Sequence, residues 1–313
     1  MAVARSLVRP LASSALFGVR ALSSEATEPA VKLWARVVRF EAADTNDEHF
    51  GVLSDDGATA RIVTQGADGK TSIADAPSPV SAVRPPVEPS VLYGVGLNYR
   101  DHAAETGMES RPDYPVVFLK APTTVIGHDQ LIVVPRCCAD PAEVDYEGEL
   151  AVVIGKPARN VSEEDALSYV LGYTIANDVT ARRWQGMKGG KQWARGKSFD
   201  TFCPLGPVLV HPSLLPDPQD LHITTRLNGD VVQSASTSDM VHSVARIISH
   251  LSQGTTLPPG AVILTGTPSG VGYAQDPPRY LRAGDVVEVE ISGIGTLRNR
   301  VAEETDVDGE LRV

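Results

Sequence analysis

Short apolar segments rich in Val, Ile and Leu alternate with polar turns along most of the chain. Between residues 31 and 73 the β-branched runs are separated by turns such as Ser-Asp-Asp-Gly at 54–57, a pattern that predicts a small antiparallel meander. Gly and Pro punctuate similar runs from 91 to 301. Few segments favour helix, and the clearest are 162–170, which opens with Ser and three acids, and 238–253, which Gly254 ends. The pattern predicts a strand-dominated α+β protein.

Prolines separate the two strand-rich regions. They are concentrated between residues 77 and 90, where neither a helix nor a central strand is expected, so this segment is predicted to be a linker. We therefore divide the chain into a small N-terminal β domain at 25–76, the linker at 77–90, a larger domain at 91–303 and a C-terminal tail at 304–313.

The first 24 residues have the composition of a targeting segment. They contain three arginines and no acid, and acidic residues begin at Glu25. The arginines interrupt the apolar residues, as in an amphipathic import helix, whereas a secretory signal has one continuous apolar stretch. We interpret residues 1–24 as a mitochondrial transit peptide cleaved after Leu22, which predicts the matrix as location. The alternative is a disordered basic tail.

Charge and composition exclude several classes of protein. The chain has 28 Lys and Arg against 39 Asp and Glu, a net charge of −11, which argues against binding nucleic acid or an anionic membrane. No apolar run approaches the roughly 20 residues of a membrane-spanning helix. The three cysteines, Cys137, Cys138 and Cys203, do not form a disulfide framework, so a reducing compartment is expected.

The segment from 144 to 155 is the most informative. Residues two apart on a strand share a face, so Glu147 and Glu149 are expected side by side. The apolar run after them should be buried, and two buried like charges need a neutralising partner. Oxygen ligands suit a hard divalent cation such as Mg²⁺ or Ca²⁺. The alternative is a solvated edge strand with an acidic face.

A second isolated acid favours the metal hypothesis. Asp178 lies in an otherwise apolar strand with no basic residue before Arg182, although it could also simply accept hydrogen bonds in a turn. With Glu147 and Glu149 it would give a divalent ion three carboxylate ligands. Such an ion keeps open coordination positions, which is typical of a catalytic site.

Three more segments carry candidate reactive groups. His102 and Glu105 are three residues apart and share a face if helical, so the carboxylate can orient the imidazole as a general base; a surface helix contact is the alternative. Lys197 could bind a carboxylate or an oxyanion, or be solvated. The Gly-rich loop at 263–272, with Thr267, could bind an anionic group or be an ordinary turn.

These segments together resemble the fumarylacetoacetate hydrolase superfamily and, within it, a longer mitochondrial branch. The matching segments, in the family's order, are 94–102, 147–156, 177–182, 196–200 and 264–268. The resemblance implies a β-sandwich roll as the catalytic domain, a small N-terminal domain and a homodimer. One departure is Arg183, where the family usually has Asp.

The same resemblance implies a set of site residues. It assigns Mg²⁺ or Mn²⁺ to Glu147, Glu149 and Asp178. It makes His102 and Glu105 an acid/base dyad on a lid, and Lys197 an electrostatic stabiliser. The residues expected to contact a small-molecule substrate are Arg182, Gln185 and Thr267.

Residues and resemblance both indicate chemistry of 2-oxo acids through an enolate. The branch resemblance implies a mitochondrial oxaloacetate keto–enol tautomerase. Hydrolysis of an acylpyruvate or fumarylpyruvate, and decarboxylation of oxaloacetate, are alternatives that share the enolate. A catalytically silent, metal-binding structural dimer is the alternative from a different class.

Overall fold

The apolar runs form strands over most of the molecule. A computed structural model describes residues 35–65, 71–105 and 113–307, and strands predominate over helices in these ranges. The predicted strand-dominated α+β class is therefore confirmed. The helices are short: α1 (Arg100–Glu105), α2 (Arg136–Ala139), α3 (Arg182–Gln185), α4 (Trp193–Lys197) and α5 (Val244–Ser252).

Within the described ranges, the larger sheet has twelve strands. Its central strands are continuous apolar runs because both faces are covered, and every residue of the two strands at 148–154 and 170–177 is buried. In spatial order the strands are β2 (Glu48–Leu53), β3 (Thr59–Gln65), β5 (Ser78–Arg84), β1 (Arg36–Ala42), β14 (Cys203–Val210), β12 (Val170–Asn177), β11 (Gly148–Ile154), β17 (Val262–Leu264), β6 (Leu92–Gly96) and β7 (Val116–Lys120), with β4 (Thr71–Ile73) beside β3 and β8 (Val125–Ile126) beside β14.

A second, five-stranded sheet shares its core with the first. Its strands in spatial order are β16 (Asp230–Ser236), β15 (His222–Leu227), β18 (Val286–Ile291), β19 (Gly295–Glu303) and β9 (Leu131–Val134). Alternate residues such as Ile223 and Val289 belong to the same buried cluster as Leu150 and Ile175 of the larger sheet. A short pair, β10 (Val144–Asp145) and β13 (Thr180–Ala181), lies where β11 begins and β12 ends.

The N-terminal strands are continuous with the larger sheet, since β1 pairs antiparallel with β14. The proline-rich segment differs from the prediction, because β5 lies within it and pairs with β1 and β3. The expectation of no central strand there was wrong, because β5 lies between β3 and β1. Only Pro79 falls inside the strand, and its carbonyl still accepts a hydrogen bond from the Ala43 amide at 2.9 Å. The other domain boundaries stay predictions.

Both predicted helices are shorter than expected. In the first segment only Ala166–Tyr169 is helical, as a 3₁₀ turn, because Val170 already begins the buried strand β12. In the second, α5 begins only after Ser243, whose side chain caps the Arg246 amide. Before it, Thr237–Asp239 forms a 3₁₀ turn, and the main-chain amides of Val241 and His242 donate to Asn98.

Some predictions fall outside the described residues. The predicted transit peptide at 1–24 lies there, as do residues 308–313 of the predicted tail, whereas Glu304–Asp306 forms a 3₁₀ turn. Within the described ranges, no helix combines the length and apolar character needed to cross a membrane.

Candidate active site

Three buried carboxylates meet at the ends of β11 and β12. Gly148 pairs with Asn177 across these strands, which places Glu147, Glu149 and Asp178 at one point. Their exposures are 5%, 1% and 0%, and each offers an oxygen within 4.8 Å of the others. The structure therefore brings together the three acids named from the sequence.

Two buried lysines neutralise part of this charge. Nζ of Lys197, in α4, donates to Glu147 at 2.8 Å, to Asp178 at 2.5 Å and to Thr180 at 2.9 Å. All three donors are thus in use, so Lys197 is a fixed positive charge beside the carboxylates. Nζ of Lys120, at the end of β7, donates to Oδ1 of Asp178 at 2.6 Å. Lys120 was not predicted from the sequence.

Arg182 spans a second part of the site. Its Nη1 donates to Glu147 at 2.7 Å and to Gln185 at 3.1 Å, and its Nε donates to Asp145 at 2.8 Å. Nη2 lies 2.7 Å from Oδ2 of Asp145, so two carboxylates, Asp145 and Glu147, hold the guanidinium in place. Asp145, which the sequence analysis missed, also accepts from the Gly272 amide at 2.8 Å.

The neighbouring Arg183 does not disturb this arrangement. Its Nη2 forms an ion pair of 2.7 Å with Glu143, whose side chain is 1% exposed. Arg183 therefore neutralises a different buried acid from those that hold Arg182. The orientation of Arg182 does not depend on the acid that the family usually has at position 183.

The pKa shifts show where the surplus negative charge lies. Burial raises the pKa of Glu149 well above its usual range, and the charges of Asp178 and Glu147 raise it further. Burial alone would also raise the pKa of Glu147, but the positive charges of Lys197 and Arg182 outweigh it and lower that pKa to about 2. Glu149 is thus the carboxylate without sufficient neutralisation.

The predicted dyad forms on α1. Nδ1 of His102 lies 3.1 Å from Oε2 of Glu105, and the i, i+3 spacing on the helix makes this contact possible. Oε1 of Glu105 accepts a hydrogen bond of 2.9 Å from the Gly270 amide. The dyad is therefore attached to the Gly-rich loop on the other side of the site.

That loop also contacts the metal-ligand candidates. The Gly266 amide donates to Oε2 of Glu149 at 2.6 Å. Gly266 has φ +103°, and a Cβ there would lie 2.7 Å from Cβ of Asn98, so a side chain is not accommodated. The next residue, Thr267, is 3% exposed and contacts Gly148, between the two glutamates, through its hydroxyl.

Comparison with known proteins identifies the family. The sequence model of the C-terminal domain of fumarylacetoacetate hydrolase matches residues 91–302. The chain belongs to the fumarylacetoacetate hydrolase family. The resemblance drawn from the sequence, including its longer branch, is confirmed.

Individual relatives agree with this assignment. Oxaloacetate tautomerase YisK of Bacillus subtilis is 50% identical over 208 residues, which are 66% of this chain and 68% of that protein. The human protein named oxaloacetate tautomerase FAHD2A, mitochondrial, is 44% identical over 225 residues, 72% of this chain and 70% of its own. The crystal structure of 2-hydroxyhepta-2,4-diene-1,7-dioate isomerase from Mycobacterium marinum has a TM-score of 0.72 at 39% identity, covering 86% of this chain and 98% of that one.

A cavity of about 320 Å³ opens onto the carboxylate cluster and the His102–Glu105 dyad. Seven of the nine predicted site residues line it: His102, Glu147, Glu149, Arg182, Gln185, Lys197 and Thr267. Asp178 and Glu105 lie behind Lys197 and His102, which they contact. The remaining wall is mostly apolar, with Phe118 and Trp193 meeting edge to face at 6.0 Å. The cavity thus combines a charged end with an aromatic wall.

A larger cavity of about 580 Å³ lies elsewhere, between the N-terminal strands and β9. Its cations are already paired: Arg39 with Glu48 and Glu88, and Arg84 with Glu41. It contains none of the predicted site residues, so we assign the chemistry to the smaller cavity.

The carboxylate cluster fits a divalent cation. Among the described residues, four buried acids, Asp145 and the three candidate ligands, are paired with three cations: Lys120 and Lys197, which are buried, and Arg182, whose side chain is 10% exposed. A hard cation with oxygen ligands would compensate the uncompensated charge at Glu149. The donor set is entirely oxygen, which suits Mg²⁺, Mn²⁺ or Ca²⁺ better than a thiophilic metal.

Proposed function

We propose that this chain is a divalent-metal-dependent oxaloacetate tautomerase of the mitochondrial matrix, with Mg²⁺ as its metal. The observation that carries the proposal is the buried carboxylate triad beside the His102–Glu105 pair in one cavity. The names of the relatives that are 44% to 50% identical support oxaloacetate as the substrate.

The residues have separate tasks in this reaction. Glu147, Glu149 and Asp178 would hold the cation, which supplies a Lewis acid that stabilises negative charge on a 2-oxo oxygen. Arg182, which lines the cavity, would bind a substrate carboxylate, and Lys197 contributes a fixed positive charge near the developing enolate.

Proton transfer falls to the dyad. Glu105 orients the imidazole of His102 through Nδ1 and stabilises its protonated form. His102 would remove a proton from carbon 3 of the keto form and deliver it to the oxygen on carbon 2, which gives the enol. Phe118 and Trp193 give the cavity an apolar wall, and a site poor in water favours this exchange over hydrolysis.

Hydrolysis of an acylpyruvate is the second candidate. The same aromatic wall could accommodate an apolar substituent better than the second carboxylate of oxaloacetate. Cleavage needs an attacking water in addition to the enolate, and it releases pyruvate, whereas tautomerisation does not. Product analysis separates the two.

The direct test follows the ultraviolet absorbance of enol-oxaloacetate with metal-stripped protein, with and without Mg²⁺, while pyruvate is assayed in parallel. Fast metal-dependent loss of enol without pyruvate supports the tautomerase. Pyruvate formed in step with the loss would indicate decarboxylation. No acceleration would lead to an assay with acylpyruvates.

His102→Ala tests the assigned base. We expect proton transfer to fall at least about 100-fold, the lower range for general acid/base catalysis, with Mg²⁺ affinity within threefold of the unaltered protein. Calorimetric titration of the metal provides the second measurement. Unchanged turnover would remove His102 from the mechanism.

Location and assembly have their own tests. Import of the full-length chain into isolated mitochondria should shorten it at the predicted presequence, and a cytosolic, unprocessed protein would contradict the matrix assignment. Sedimentation equilibrium should give the mass of a homodimer; a monomer at micromolar concentration would contradict it.

A further inference from the structure

Gln233 has no assigned role but contacts both sides of the active site. It lies on β16 of the smaller sheet and is 2% exposed. Its Oε1 accepts from the Gly148 amide at 3.0 Å, and its Nε2 donates to the Thr267 hydroxyl at 2.8 Å and to the Pro268 carbonyl at 2.9 Å. One side chain thus joins the strand of the metal-ligand candidates to the Gly-rich loop.

Chemistry fixes the orientation of this amide. A main-chain N–H can only donate and a main-chain carbonyl can only accept, so the oxygen of Gln233 must face Gly148 and its nitrogen must face Pro268. The nitrogen has no lone pair to offer, so the hydrogen bond to Thr267 runs from Gln233 to the hydroxyl oxygen.

This orientation determines what Thr267 can do. Because its oxygen accepts from Gln233, its hydroxyl hydrogen is directed to the Gly148 carbonyl, 3.1 Å away. The hydrogen is then in use, and only a lone pair is left toward the cavity that Thr267 lines. In this arrangement the hydroxyl can accept a hydrogen bond from a ligand and has no hydrogen left to donate.

We propose that Gln233 is a positioning residue that fixes the Thr267 hydroxyl as an acceptor, so that the ligand oxygen meeting it must carry a proton. The enol hydroxyl of a 2-oxo acid is such an oxygen, and a carboxylate is not. The identity of the natural ligand, a 2-oxo acid, rests on the proposed function. The assignment makes Thr267 selective for the enol form of that ligand.

Two small ligands test the polarity of Thr267 without turnover. At neutral pH the oxygens of oxalate only accept, whereas glycolate carries an alcohol O–H. Their affinities for the Mg²⁺-loaded protein are measured by calorimetry or displacement in Thr267→Val, Gln233→Met, the double variant and the unaltered protein. Binding is read directly, so a failed tautomerase assay does not affect the result.

We expect Thr267→Val to weaken glycolate about tenfold and oxalate less than threefold, because only glycolate loses an acceptor. In Gln233→Met the Thr267 oxygen no longer accepts from Gln233, so the hydroxyl can rotate away from the Gly148 carbonyl and donate to a ligand, and oxalate should gain about fivefold relative to glycolate. In the double variant this gain should disappear, because Gln233 acts through Thr267.

Gln219→Met is the matched control. Gln219 also bridges main-chain groups, the Thr237 carbonyl and the Val244 amide, but lies outside the cavity lining. Its substitution should leave the ratio of the two affinities unchanged. If Gln233→Met does not fold, Gln233→Glu replaces it: its oxygens accept from both Gly148 and Thr267, so the wild-type ratio should persist.

Three results would overturn the proposal. Thr267→Val could weaken oxalate as much as glycolate, which would mean that Thr267 donates to ligands. Gln233→Met could weaken the binding of oxalate and glycolate equally, both in the otherwise unaltered protein and in Thr267→Val, which would mean that Gln233 only supports the loop. Finally, Gln233→Glu could show the same ratio of oxalate to glycolate affinity as Thr267→Val, which would mean that the Thr267 hydroxyl no longer accepts from a ligand.

Discussion

The molecule contains two clusters of acids and bases with the same charge imbalance but different surroundings. The N-terminal cluster consists of Arg39, Arg84, Glu41, Glu48 and Glu88. The site cluster consists of Asp145, Glu147, Glu149, Asp178, Lys120, Arg182 and Lys197. Each has one more carboxylate than cations, so charge counting alone does not tell them apart.

Burial separates the two clusters. In the N-terminal cluster the side chains of Glu48 and Glu88 are 36% and 56% exposed, so water solvates the surplus charge. In the site cluster the side chains of Asp145 and Asp178 are fully buried, and the pKa of Glu149 is raised because burial and two neighbouring carboxylates oppose its ionisation. The comparison teaches that a buried surplus charge, rather than an acidic cluster as such, indicates a place for a cation.

Cavity volume, unlike burial of charge, would favour the N-terminal cluster as the functional site. The N-terminal cluster borders the cavity of about 580 Å³, and the site cluster borders the one of about 320 Å³. The charged side chains that line the larger cavity already form ion pairs. The following changes test whether burial of charge, and not volume, identifies the site.

Glu149→Gln should have the largest effect. It removes the carboxylate without sufficient neutralisation, so the metal-free protein should become more resistant to heat while Mg²⁺ no longer stabilises it. Turnover should fall more than about 100-fold. The loss of a residue that only hydrogen-bonds to a metal ligand costs up to about 100-fold, and the loss of a ligand itself should cost more. Thermal melts with and without Mg²⁺, together with the enol assay, provide the measurements.

The same result distinguishes a metal ligand from a structural acid. A variant that melts lower without metal would indicate that Glu149 stabilises the fold through the Gly266 amide. A variant that keeps its Mg²⁺-dependent stabilisation would contradict the assignment of Glu149 as a ligand.

The carboxylates could be predicted from the sequence because their signals are local. The two-residue spacing of Glu147 and Glu149 fixes a shared face of a strand, and the apolar run after them predicts burial. Asp178 stood out as an isolated acid in an apolar strand. His102 and Glu105 needed only helical spacing. The strand-dominated class followed from periodicity in the same way.

Residues that join the site from distant strands had no comparable signal. Lys120 ends the apolar run Val116–Lys120, where a lysine usually indicates a solvated strand end, and only the pairing of β7 with β6 turns it inward. Asp145 and Gln233 reach the site through β10 and β16, whose register the sequence does not determine. The strand at 78–84 was missed because the surrounding prolines dominated the pattern.

Lys120→Met should have the next largest effect. It leaves Asp178 buried with one ammonium partner instead of two, and removing one partner of a buried ion pair costs about 3–5 kcal/mol. Arg84→Met is the matched control, since its side chain is 32% exposed and its loss should cost about 1 kcal/mol or less. Urea denaturation of both variants measures the difference. Equal losses would show that the two clusters do not differ in the way that burial suggests.

Glu48→Gln should have the smallest effect and tests the comparison from the other side. The substitution is chemically the same as Glu149→Gln, but Glu48 is partly solvated and faces the larger cavity. We expect the free energy of unfolding to change by about 0.5 kcal/mol or less, and both enol turnover and the Mg²⁺-dependent rise in melting temperature to stay within experimental error. The measurements are those used for Glu149→Gln, so the two acids are compared under identical conditions. If Glu48→Gln loses turnover but still binds Mg²⁺, the larger cavity is coupled to the catalytic site. Burial of charge alone would then not identify the functional site of this chain.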